Sequence, residues 1–524
     1  MYKIVFKGVV LAILLVSGCK MRPDQIALPN YNAEILGPIV NGKYNGSNFI
    51  KDNSQFSQVG PDGLVTLMYR GEIPPLSLGD VVSVPDQQFA LSGFPTGQQS
   101  SATSTFRAAF VMPNGIQLTE SEIRSGILRI NLSNTSLTSA INCQIRLKHA
   151  LRNGSDPVIL SGTVNSLSTR SDSTNLAGVK IDMTRGGEIN IYNGFELEIT
   201  FTAITGTVDF SSALQGTTVV FRNFKPALVR GYLGSYVDTI GGNFSVPIFD
   251  RFFSGELLFE SPYLTSTFSN SFGLSATFLN SNSLFISGNN PNRDPNDSVV
   301  IGSSLRGVTV SGAGSPGGMP GVTTTTISGT NDNFPAFLSI FPSRLRYQIP
   351  MRVNTQTPVY DQFIADTSKF SGSFEFGLPL SFRTQNLAIR DTLPFKMLGD
   401  STLAKIVDGK LITFVNNGLP VEFEFQAYFL DEFGVIGDSL FESQQYVQPA
   451  TISGNGRISV PSQQKFVTNL DLLKADKVKK MHQITPVFRV KSIPQGNFVK
   501  IYNDFTLEFK VVGDLRFNFL SDTE

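Results

Sequence analysis

Short runs in which every second residue is apolar recur along most of this chain. In VEFEFQAYF, Val421, Phe423, Phe425, Ala427 and Phe429 fall on one side, and Glu422, Glu424 and Gln426 on the other. In SFEFGLPLSF the inward set is Phe374, Phe376, Leu378, Leu380 and Phe382. A period of two residues is that of a strand packed on one face and wet on the other. Gly, Ser, Thr and Asn punctuate these runs, and the pattern predicts an all-β protein of tandem β-sandwich-like units with at most short helices. The one helix it predicts is NLDLLKADKVKKM, with Leu472, Ala475 and Val478 as a modest apolar stripe and the lysines as a solvated face.

Several of the runs return. IYNGFELEI, from Ile191, matches IYNDFTLEF, from Ile501. Gly126-x-Leu128 with Asn134 answers Gly409-x-Leu411 with Asn417, and Thr174-Asn175-Leu176 answers Thr468-Asn469-Leu470. Pro157-x-x-x-Ser161-Gly162 answers Pro449-x-x-x-Ser453-Gly454. Matches in one order predict duplication. A weaker middle copy pairs FSNSFGLSATF with FVNNGLPVEFEF, and Ile327-Ser328-Gly329 with Ile452-Ser453-Gly454. The Gly- and Thr-rich stretch GVTVSGAGSPGGMPGVTTTTISG reads as a flexible loop within it.

The expected division is a signal peptide at 1–18, an N-terminal segment at 19–118, and β units at 119–213, 254–397 and 398–524, with a connecting β segment at 214–253. Duplication would give Phe195, Leu197 and Ile199 the inward positions of Phe505, Leu507 and Phe509, leaving Glu196 and Glu198 in water. The asparagine, small turn, Gly-Leu-Pro and alternating strand together resemble β-sandwiches of the fibronectin type III or late-embryogenesis-abundant kind. That resemblance lies at the level of fold and implies no site.

The first residues read as a secretion signal: Lys3 and Lys7 supply charge, and Val9 to Val16 is an apolar run too short to span a bilayer. Val16-Ser17-Gly18-Cys19 resembles the lipobox of bacterial lipoproteins. The resemblance implies cleavage before Cys19, a thioether-linked diacylglycerol on its sulfur and an acylated amine. Several acyl chains give a stable membrane anchor where one does not. Lys20 stands where an inner-membrane retention aspartate would be, so the expected address is the outer membrane, on either face. PIVNGKYNG, GLVTLMYRGE and VVSVPDQQF resemble the start of Bacteroidota-type lipoproteins, which lends no activity.

Composition and chemistry narrow the function. Basic and acidic residues balance at 42 each, which leaves no electrostatic footprint for nucleic acid. Phe reaches 43 against no Trp. Cys143 has no intramolecular partner once Cys19 is alkylated, and its place in AINCQIRL is that of a small hydrophobe inside a half-buried strand. Gly312-x-Gly314-x-x-Gly317, Gly37-x-x-x-x-Gly42-Lys43 and Ala313-x-Ser315-x-Gly317 mimic phosphate-loop and nucleophile motifs, but lack the following helix, the magnesium-holding hydroxyl or the exposed turn they need. His149 and His482 occupy unmatched positions, and Asp294 and Asp297 lack calcium-loop spacing, so no metal and no cofactor are expected.

Asp-Ser/Thr-apolar triplets at Ser173, Thr239, Ser298, Thr392 and Ser439 resemble sites O-glycosylated in exported Bacteroidota-type proteins. The favoured function is a lipid-anchored scaffold or binding protein of the cell envelope, without catalysis, whose partner is an outer-membrane protein or a surface ligand. The alternatives are a lipid carrier with a Phe-lined groove, and a carbohydrate-active hydrolase with a carboxylate pair distant in sequence.

Overall fold

The computed structural model describes residues 31–45, 57–280, 285–290, 294–354, 356–390, 393–394, 404–471, 473–474, 477, 480–494 and 496–519. Leu472, Ala475 and Val478 of the expected helix lie outside them. The fold is all-β, and the longest helix among the described residues that is assigned a full span is Phe334–Ser339.

One six-strand pattern occurs three times. The first copy consists of Gln117–Asn134, Ile141–Arg152, Asp156–Val164, Ser168–Asn175, Gly194–Ala203 and Thr218–Tyr232. The middle copy is Tyr263–Asn270, Ala276–Phe278, Thr309–Val310, Gly321–Ser328, Arg344–Val353 and Lys369–Pro379. The last is Ala404–Asn417, Val421–Leu430, Gln445–Val447, Ser462–Leu470, Gln483–Ser492 and Thr506–Phe519. In every copy the first strand pairs with the fourth and the sixth. The second pairs with the third and the fifth. The register is shared as well: Asn134 faces Ser168 with Leu128 on Thr174, Asn270 faces Gly321 with Leu264 on Ile327, and Asn417 faces Ser462 with Leu411 on Thr468.

Two further strands flank each copy. The fifth strand takes a preceding strand on its edge: Ser101–Ala109, Tyr236–Ser245 and Ser381–Arg390 respectively. The sixth takes a strand of the N-terminal segment: Gln87–Ala90 in the first copy, Val65–Ser77 in the middle one and Tyr31–Asn45 in the last. An immunoglobulin-type sandwich pairs B with E, C with F and C′ with C, and puts A beside B and G beside F. These copies keep the inner pairings, but the strand before the first stands where G would, and the sixth stands where A would. That departs from the fibronectin type III order expected.

Chain contacts divide the protein into two compact units, one of residues 50–383 and one in which the described strand 31–45 joins residues from 384 onward. The segment expected to connect units, 214–253, supplies the sixth strand of the first copy and the flanking strand of the middle one. IYNGFELEI and IYNDFTLEF do not correspond: Gly194–Ala203 is a fifth strand and Thr506–Phe519 a sixth. The likeness is one of β composition, whereas the Asn134/Asn417 match is one of place.

Local readings also shift. The Gly/Thr-rich stretch is ordered into the strands Thr309–Val310 and Gly321–Ser328, with Val310 and Ile327 buried, because β-branched threonines favour the pleat. Gln426 points inward, its amide tied to the backbone of Phe441 (Nε2 to O, 2.9 Å) and of Ala427 (Oε1 from N, 2.9 Å). Alternation through Phe374, Phe376 and Leu378 stops at Pro379, which ends the strand, so Leu380 and Phe382 do not continue the inward set.

Phenylalanine fills the space between sheets. In the first copy the Phe195 ring meets Phe89 and Phe221 at 4.9 Å and Phe110 at 5.1 Å. In the middle copy Phe268 meets Phe278 at 4.6 Å, and in the last Phe423 and Phe425 of the second strand meet Phe509 of the sixth at 6.3 and 6.1 Å. Such tilted and offset contacts are the favoured aromatic geometries.

The first strand of each copy ends on a buried asparagine: Asn134, Asn270 or Asn417. Each makes the same three bonds. Its Oδ1 accepts the amide two residues on, from Ser136 (2.9 Å), Phe272 (3.0 Å) or Leu419 (3.0 Å). Its Nδ2 donates to a carbonyl just before or at the start of the second strand, Ser139 (2.9 Å), Leu274 (2.8 Å) or Val421 (3.0 Å). The same Nδ2 reaches the end of the third strand at Val164 (3.3 Å) and Val310 (3.4 Å), and at Gln448 (2.7 Å) just beyond it.

Asn270→Ala should therefore strand two carbonyls and one amide and lower unfolding stability by roughly 2–4 kcal/mol, measured by urea titration. A loss below about 0.5 kcal/mol, the size of an ordinary surface change, would contradict the role given to this side chain. Deleting residues 31–45 strips Thr506–Phe519 of its outer partner. Calorimetry should then show the 384–519 unit melting earlier and the 57–383 unit unmoved; a single unshifted transition would speak against it.

Candidate functional site

The most specific polar site is built on the turn before Gly194–Ala203 in the first copy. Left-handed backbone at Arg185, Gly186, Gly187, Asn190 and Asn193 coils this turn tightly, and glycine tolerates the two central positions at φ 86° and 88°. His149 packs so close to Gly186 that a Cβ there would lie 2.7 Å from the imidazole. Asp182 closes one end, its Oδ1 accepting from the Thr184 amide (2.8 Å) and its Oδ2 from the Gly186 amide (3.2 Å). Asn193 fastens the other: its Oδ1 accepts from the Leu118 amide and its Nδ2 donates to the Ile116 carbonyl, both at 2.7 Å.

Tyr192 projects from this turn and stacks on Tyr360, with ring centres 4.6 Å apart and planes 2° from parallel. The Tyr360 hydroxyl donates to Gln117 Oε1 at 2.6 Å. Its ionisation is pushed above the ordinary phenol range, first by its bond with the Tyr192 hydroxyl and then by burial. A cavity of about 300 Å³ lies against Tyr192, bounded by Gln117, Arg185, Asn190 and the small Ala108 and Ala109.

Alternating charges lead up to it. Glu196 takes Lys148 at 2.6 Å and Arg107 at 2.9 Å; Arg107 comes within 3.9 Å of Glu188, and Glu188 pairs with Arg185 at 2.9 Å. Glu196, expected in water, is 2% exposed, because the strands on either side place Arg107 and Lys148 directly across from it. Burial opposes its ionisation, but the bonds from Lys148 and Arg107 outweigh that and hold the carboxyl below its usual value. A carboxylate held ionised in this way is not the proton donor that glycoside hydrolysis needs.

A larger cavity of about 480 Å³ lies beside Ser77, Asn223, Lys225, Arg124 and Asp366, the last two forming an ion pair. Its aromatic neighbour Phe224 is buried, so it presents no open ring face. Among the described residues no cluster of three His, Cys, Asp or Glu side chains gathers as metal ligands would.

Of the residues singled out in sequence, Cys19 and Thr392 lie outside the described ones. Ser173, Thr239 and Ser298 are exposed on strands; Ser439 is half-buried and its hydroxyl donates to the Phe441 carbonyl at 2.8 Å. Nothing draws these serines and threonines together. Cys143 is 1% exposed on the second strand of the first copy, its thiol pushed up to about 12 by burial and then by Asp172. No local pattern in the sequence marks the Tyr192 site as a whole. RGGEINIYNG carries a turn signal, but Tyr360 and Gln117 lie far away in the chain.

No family model matches the chain, and no curated protein sequence does. Among solved structures, a Parabacteroides distasonis protein described as secreted is similar at 9% identity over 93% of this chain and 100% of its own, with a TM-score of 0.26. The VP2 subviral particle of infectious bursal disease virus follows at 9% identity over 88% of this chain and 83% of its own, with a TM-score of 0.13. Among the described residues no helix is long and apolar enough to cross a membrane.

Because the folded Glu196 carboxyl titrates below its unfolded value, its ion pairs stabilise fully above about pH 4.5, and that stability is lost as pH falls through the lower folded value. Glu196→Gln should cost roughly 1–3 kcal/mol at pH 7 and progressively less towards pH 3, read by denaturant unfolding. A cost that stays level over that range would refute the ionic role. Cys143 should resist a thiol reagent in the native protein and react on unfolding; rapid native labelling would place it at the surface.

Proposed function

We propose that the chain is an exported lipoprotein, held in the outer membrane by acyl chains on Cys19, that acts without catalysis as a scaffold or binding protein of the cell envelope. The observation that carries this reading is Val16-Ser17-Gly18-Cys19 closing a short apolar run behind Lys3 and Lys7. About a dozen residues separate Cys19 from the strand Tyr31–Asn45, at most roughly 40 Å of extended chain. The unit that this strand completes is thus the one tied closely to the membrane.

Ring-on-ring packing of Phe195, Phe268 and Phe423 favours a scaffold over a lipid carrier, since those buried side chains fill the sandwiches rather than line a groove. The pairing of Glu196 with two cations removes that carboxyl as a proton donor for hydrolysis. The exposed Ser173, Thr239 and Ser298 remain available for glycosylation in an exported protein.

Cys19→Ala should abolish incorporation of labelled fatty acid and release the protein from the membrane fraction or leave an uncleaved precursor. Labelling that persists in that variant ends the lipoprotein reading.

A further inference from the structure

We propose that the cavity beside Tyr192 binds a ring of a neutral saccharide. The inference rests on the binding reading above and names the ligand class of one site.

Three features carry it. The first is the aromatic platform: Tyr360 stacks against Tyr192 and is itself fixed through Gln117, while Tyr192 and not Tyr360 lines the cavity. A held phenol ring offers a flat apolar face to the C–H side of a sugar ring, the role that tryptophan, absent from this chain, often fills. The second is the polar edge. Arg185 and the Gln117 carboxamide both line the cavity, so guanidinium donors stand beside a group that donates and accepts. Adjacent hydroxyls of a pyranose both donate and accept, and they match such a mixed pair. An anionic ligand gains less, because Glu188, 2.9 Å from Arg185, already neutralises its charge. The third is preorganisation: Asp182 and Asn193 fasten the turn at both ends and leave the exposed amide of Asn190 at the rim. A volume of about 300 Å³ lies at the lower end of ligand pockets, the scale of one or two sugar rings.

The test uses the full lipoprotein in detergent micelles, titrated calorimetrically with maltohexaose, cellohexaose and the hexamer of N-acetylglucosamine, and with polygalacturonate and inorganic phosphate as anionic probes. At least one neutral oligosaccharide should bind, at least tenfold more weakly to Tyr192→Ala and with near-native affinity to Tyr192→Phe, which keeps the ring. Asn190→Gly, which preserves the left-handed backbone, should weaken it several-fold. Binding of the anionic probes alone, or of no probe, overturns the ligand class and leaves the anchoring reading to its own fatty-acid test. Neutral sugar binding that Tyr192→Ala does not alter overturns the site while sparing the wider reading of a binding protein.

Discussion

A strand that stops inside a protein leaves backbone carbonyls and amides with nothing to bond, and an all-β sandwich must solve this wherever the chain crosses from one sheet to the other. Here the solution is a single buried asparagine. Its carboxamide has one acceptor and two donor hydrogens, enough to hold the turn after the first strand and to bridge the start of the second to the end of the third. Asn134, Asn270 and Asn417 thereby tie the end of the first strand to the second and the third in every copy, at the residue that also faces the start of the fourth strand. Without that bridge the apolar faces would still seek burial, but their pairing would be less specified.

Around these junctions the chain uses two economical devices. Phenylalanine, stiff and purely apolar, fills the gap between sheets without bringing a polar group inside. The N-terminal segment supplies an outer strand to the sixth strand of each copy, covering an edge that would otherwise invite pairing with another chain. The segment meets the last copy first and the first copy last, so a stretch that precedes the repeats in sequence is part of all of them.

Fold class was legible because alternation is a local signal: Phe423 and Phe374 announce their strands unaided. The asparagine match was legible because a residue with so particular a bonding role leaves few substitutes. The IYN match misled, since Ile, Tyr and Phe recur in strands of any topological position, and only pairing tells a fifth strand from a sixth. Glu196 was misplaced for a related reason. Alternation gives the face of a strand correctly, but not whether Arg107 and Lys148, on two other strands, will cover that face. The Tyr192 site joins a turn to residues distant in sequence, and no local pattern encodes that meeting.

The central claim, that each buried asparagine holds the junction of its copy, is tested most directly by native-state hydrogen exchange at the amides of Ser136, Phe272 and Leu419. All three lie in turns, where exchange is ordinarily fast, yet each donates to an asparagine Oδ1. The account predicts protection comparable to the flanking strands of the same copy. Exchange as fast as in surface turns would show that the asparagines do not hold the copies together.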